Sequence, residues 1–181
     1  MANPVVGTEL VDILPVQSNG QTAAYRETVS VNQITQNSIG GTNSGYATSA
    51  LTATSNTTLA LVPGMTVTLL PGAVYSFESY ITGSANASGG IKMALGGTAT
   101  YTSLSIDTWT YNTTTVAAQG VITSAASNLV AYTGAFTTIF SSGTLVVNAG
   151  GTLTITAAQN ASNGAATTVN ANSNIMLTRI A

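Results

Sequence analysis

Residues 46–181 carry only four charged side chains, Glu78, Lys92, Asp107 and Arg179, and the two carboxylates are the ones that could move a proton. A pair of carboxylates is enough for glycoside hydrolysis, one serving as acid and the other as base or nucleophile. Groups that would widen this chemistry are missing. The chain has no histidine and no cysteine, which removes Ser-His-Asp and Cys-His nucleophiles, most zinc sites and the commonest general base. Glu78 lies in an alternating run that puts Tyr75 and Phe77 on one face and Ser76 and Glu78 on the other. Nothing in the sequence draws Asp107 to it, so both acids read as structural, with Lys92 and Arg179 as cross-strand partners. Five scattered carboxylates offer no calcium cluster, and the glycine pairs beginning at 40, 89, 96 and 150 read as turn formers, without a phosphate-binding fingerprint. The expectation is a non-enzyme with no catalytic residue, no metal and no cofactor.

Aromatic residues are the other chemical candidates. Tyr101, Trp109 and Tyr111 surround residues 107–112, a segment that reads as a turn. Rings set beside Asn and Thr suit a glycan-binding surface; packing in the core or between subunits is the competing and favoured reading.

These residues belong to a chain of 181 with 8 charged side chains, 4% where an ordinary domain has about a quarter. The apolar share is an ordinary 44%, so Thr, Ser, Asn and Gly have replaced the charges. Three cations cannot neutralise the roughly six to ten phosphates of a DNA site, which argues against nucleic acid and anionic lipid as partners. No run approaches the roughly 18 apolar residues of a membrane span. The opening Met1-Ala2-Asn3-Pro4 lacks a basic region, so no signal peptide is expected, and the Asn-x-Ser/Thr triplets at Asn56, Asn86, Asn112 and Asn160 read as accidents of composition.

The first 45 residues differ from the rest. They hold half the charges (Glu9, Asp12, Arg26, Glu27) and two strand-like runs, 9–16 and 25–31. Ser30 and Gln33 have capping-box spacing, with Val31 and Ile34 on one side and Gly40-Gly41 as a stop, which predicts a short helix. Residues 40–45 suit a linker. Further on come short period-two segments at 65–69, 74–81, 90–95, 99–106, 113–123, 136–140, 144–148, 152–158 and 174–180, separated by Gly, Pro and Asn. Pro71-Gly72 marks a turn, and Asn148-Ala-Gly-Gly151 reads as a hairpin. The expected fold is all-β: an antiparallel β-sandwich or jelly roll over 46–181, preceded by an extended N-terminal arm over 1–45 with a short helix. Sheet edges usually carry Lys or Glu as guards, and these strands have almost none. A closed homo-oligomer, such as a trimer, would hide them.

The segments Gly7-Thr-Glu-Leu-Val-Asp-Ile-Leu-Pro-Val-Gln-Ser-Asn-Gly20 and Glu27-Thr-Val-Ser-Val-Asn-Gln-Ile34 resemble the N-terminal segment of bacteriophage tail-fibre, head-fibre and related surface proteins. Two extra residues separate the Glu-Leu from the Pro-Val, and the basic residues common after the glycine are missing. Three later stretches, 70–78, 151–160 and 167–180, resemble the trimeric jelly roll of the tumour necrosis factor and C1q type. The resemblance implies a homotrimer on a virion, made in the host cytoplasm. An arm of distinct composition, no catalytic set and few charges favour a capsid decoration (cement) protein whose arm, through Glu9, Leu10, Pro15, Val16, Arg26, Glu27 and Ile34, reaches the major capsid protein or another virion protein. The alternative is a fibre knob that binds host glycan through Tyr101, Trp109 and Tyr111.

Overall fold

The computed structural model describes residues 10–13, 27–30, 38–113 and 115–181. Apolar and polar residues alternate along most strands, so each strand has one face to bury, and two antiparallel sheets bury those faces against each other. One sheet has four strands in the order β10 (Asn128–Tyr132), β7 (Ile91–Gly97), β12 (Gly151–Ala158), β5 (Ala60–Leu69). The other has eight. Six run in the order β3 (Thr42–Tyr46), β14 (Asn174–Arg179), β6 (Val74–Ser84), β11 (Thr138–Val147), β8 (Tyr101–Asn112), β9 (Thr115–Ile122). The remaining two are β13 (Thr167–Val169), beside the end of β6, and β4 (Leu51–Ala53), beside β13. Strands β1 (Leu10–Ile13) and β2 (Glu27–Ser30) make a separate two-stranded sheet.

Between the large sheets, Val62, Met65, Val67, Met93, Leu153 and Ile155 meet Tyr75, Phe77, Ile81, Ile106, Ile139 and Leu145, all of them buried. Tyr75 is fully enclosed, and its hydroxyl oxygen accepts a hydrogen bond from Leu70 N at 3.1 Å. Pro71-Gly72 forms the expected turn between β5 and β6, with Gly72 at φ +72 and its N–H donating to Val147 O. Two of the Asn-x-Ser/Thr triplets have a local use. Asn56 Oδ1 accepts from Thr58 N and Asn86 Oδ1 from Ser88 N, each closing an Asx-type turn.

Three local expectations are corrected. Residues 42–46 are not a linker: they form β3, an edge strand paired with β14 from Thr42↔Thr178 to Tyr46↔Asn174. The tetrad 148–151 is not a hairpin but a crossing between sheets, since β11 pairs with β6 and β8 while β12 pairs with β5 and β7. Its polar groups are engaged by 98–100, with Asn148 N donating to Thr100 O at 2.8 Å. Alternation reports only which face a strand buries, so neighbours in a sheet and strands facing each other across a core look alike. Residues 107–112 are not a turn either; they lie inside β8, where Leu104, Ile106, Thr108 and Thr110 continue the buried face without a break. The helix expected from Ser30 and Gln33 falls on residues 31–37, outside those described.

Candidate functional site

The outward face of the eight-stranded sheet carries rows set by register. One row runs Tyr46, Asn174, Tyr80, Phe140, Trp109, Gln119 across six strands. Tyr46 is 60% exposed and Tyr80 48% exposed, and the Trp109 and Phe140 rings are tilted at 31° with centroids 5.9 Å apart. On one side, Thr138, Tyr111 and Val116 flank this row; on the other lie Ser44, Met176, Glu78, Ser142, Asp107 and Val121. Beyond them comes a row of hydroxyls, Thr42, Thr178, Ser76, Thr144 and Ser105, whose first two oxygens are 3.3 Å apart. The face is thus an aromatic band edged by acids and hydroxyls, on the outward side of the sheet.

The expected site residues separate into groups. Trp109 and Tyr111 share this outward face. Tyr101 does not join them. A bulge between Val146 and Val147 brings Tyr101 opposite the buried Val147, where its ring packs on the core. Its hydroxyl is buried with no hydrogen-bond partner among the described residues, and burial pushes its pKa up from 10.0 to about 12.

Glu78 and Asp107, which nothing in the sequence connects, stand on either side of Ser142 in one row, two strand spacings or roughly 10 Å apart. The basic partners proposed for them are elsewhere. Lys92 lies in the four-stranded sheet between Ala131 and Ala158, and Arg179 stands opposite Tyr75, its Nε donating to Ala181 O at 3.1 Å. Among the described residues no group of three or more His, Cys, Asp or Glu comes together. Of the arm residues, Leu10 and Glu27 sit at opposite ends of the β1–β2 ladder, as Leu10↔Ser30 and Ile13↔Glu27; Glu9, Pro15, Val16, Arg26 and Ile34 lie outside the described residues.

Tyr46, Tyr80 and Phe140 escaped the sequence reading, although a signal was present. Tyr80 shares the parity of Ser76 and Glu78, and Phe140 that of Thr138 and Ser142, so each is an aromatic ring on a polar face. Comparison with protein-family models and with curated proteins found no match.

Proposed function

We propose that this protein is a structural component of a bacteriophage virion, a capsid decoration protein that works as a homotrimer and carries out no reaction of its own. The observation that carries the assembly part is the outward row Tyr46, Tyr80, Phe140 and Trp109. Tyr46 and Tyr80 each leave about half of the residue open to solvent, and at about 25 cal/mol per Å² burying that area would favour association. Connectivity supports the jelly-roll part. From β5 to β12 the chain crosses between the four- and eight-stranded sheets at every step but β8 to β9, the pattern of two interleaved Greek keys. The N-terminal arm ahead of β3 is the attachment element, consistent with the resemblance of its sequence to phage surface proteins. Cryo-electron microscopy of intact particles tests this reading: threefold density on the shell is expected, and density only at the tail, or none, contradicts it.

A second reading has one observation in its favour. Trp109, Phe140 and Tyr80 bordered by Glu78, Asp107 and Gln119 also offer stacking faces and acceptors to a sugar, as a fibre knob would. In that case the rings remain open to solvent in the assembled protein, and a glycan array returns a ligand whose binding is lost in Trp109→Ala.

A further inference from the structure

The two ends of the sandwich are finished differently. At one end β3 and β5 meet across the sheets: Asn43 Nδ2 donates to Thr68 O at 3.0 Å, and a Cβ on Gly45 would lie 3.0 Å from Gly64 O. At the other end the eight-stranded sheet stops at β9 and the four-stranded sheet at β10, and an open cleft of about 200 Å³ lies between them. Thr108 and Thr110, Ala118 and Gly120, and Leu129 and Ala131 line it, and no lining residue is charged.

Two details show that packing here is incomplete. Thr110 is 1% exposed, yet its Oγ1 has no hydrogen-bond partner among the described residues, a condition that costs about 1–3 kcal/mol. Gly120 stands opposite Thr108, which faces inward, and a Cβ on Gly120 would meet nothing within 4 Å. The free edges of β9 and β10 also carry no charge and no proline to discourage strand addition.

The same chain holds a segment with the complementary deficit. Among the described strands, β1 and β2 pair only with each other, and an isolated two-stranded sheet is marginal in water. This segment joins the sandwich beside β14, where Gly40 N donates to Arg179 O at 2.7 Å, next to β3. The cleft is at the far edge, five strand spacings or roughly 24 Å away. The arm therefore leaves one edge of the molecule while the vacancy is at the other, the arrangement that a head-to-tail contact between copies uses.

We propose that the cleft between β9 and β10 receives the β1–β2 pair of a second copy of this chain, added to the free edge of β10 by main-chain hydrogen bonds. The proposal rests on the self-assembly reading above.

Because the native chain has no cysteine, the contact can be trapped cleanly. Full-length T28C and A131C proteins are mixed, their mass is measured by sedimentation, and a short bis-maleimide is added. The expected product is a linked pair with one chain of each kind. Its yield should fall at least tenfold when Gly120→Leu is placed in the A131C chain, with an unchanged melting temperature showing that the sandwich is intact. An oligomer without this product overturns the strand-addition proposal alone. So does a T28C/A131C double variant that links only within single chains. A protein that sediments as a monomer overturns both this proposal and the self-assembly reading.

Discussion

Gln159 shows how this chain spends its amides where another would spend charge. It is fully buried, and all its polar capacity is used: Oε1 accepts from Asn56 N and Asn163 N, while Nε2 donates to Asn163 O and Ala165 O. One side chain thereby ties the 159–165 loop to the segment after β4. Gln159→Leu strands those backbone groups and should cost about 2–3 kcal/mol in chemical denaturation. Tyr101 is the opposite case, a buried hydroxyl without a described partner and with its pKa raised to about 12 by burial. The folded protein holds that proton more tightly than the unfolded chain, so stability is retained below about pH 10 and falls as pH rises toward about 12. Tyr101→Phe should flatten the loss between about pH 10 and about pH 12, and an unchanged slope would show that Tyr101 does not set it. At this scale the sequence grouped Tyr101 with Trp109 and Tyr111, whereas the pairing places Trp109 and Tyr111 on the outward face and Tyr101 against the core. A single bulge reverses the side a residue faces, and no residue type announces that bulge.

Strands were the legible elements, because period two survives wherever one face is buried. The runs at 65–69, 74–81 and 152–158 lie on strands, as does 174–180 apart from its last residue, with β5 and β6 extending further than the pattern suggested. Pairing was not legible. The step 148–151 looks like a hairpin in composition, yet it carries the chain from one sheet to the other, and β3 hides in Thr-Asn-Ser-Gly-Tyr, which has no apolar alternation to display. Such a strand is held by its ladder with β14 and by Gly45, which lets β3 pass close to β5. Gly143 has a similar role within β11, between Phe77 and Ile106, where a Cβ would overlap the Ser105 carbonyl. Backbone on that side cannot swing away as a side chain can. Gly143→Ala should therefore destabilise by about 1–3 kcal/mol by thermal unfolding, and a neutral result would mean that the ladder can shift there.

As a whole molecule, the protein combines an enclosed core with an outward aromatic band, and hydroxyls and amides take the place of edge charges. The scarcity of charge is the sequence's argument for assembly, in general terms. Which face would assemble depended on Tyr46, Tyr80, Phe140 and Trp109 coming into one row, and that follows from the pairing of β3, β14, β6, β11 and β8, which the sequence does not display. With so few ions to screen, association should depend little on salt; sedimentation at about 0.1 M and about 1 M NaCl should give the same mass, and dissociation at high salt would point to ionic contacts. The most direct measurement is sedimentation of the full chain beside its Tyr80→Lys/Trp109→Lys variant. The native protein should sediment at three times the 18.1 kDa chain mass, with no monomer at micromolar concentration, and the variant should remain folded but dissociate. A soluble, long-lived native monomer would contradict the account.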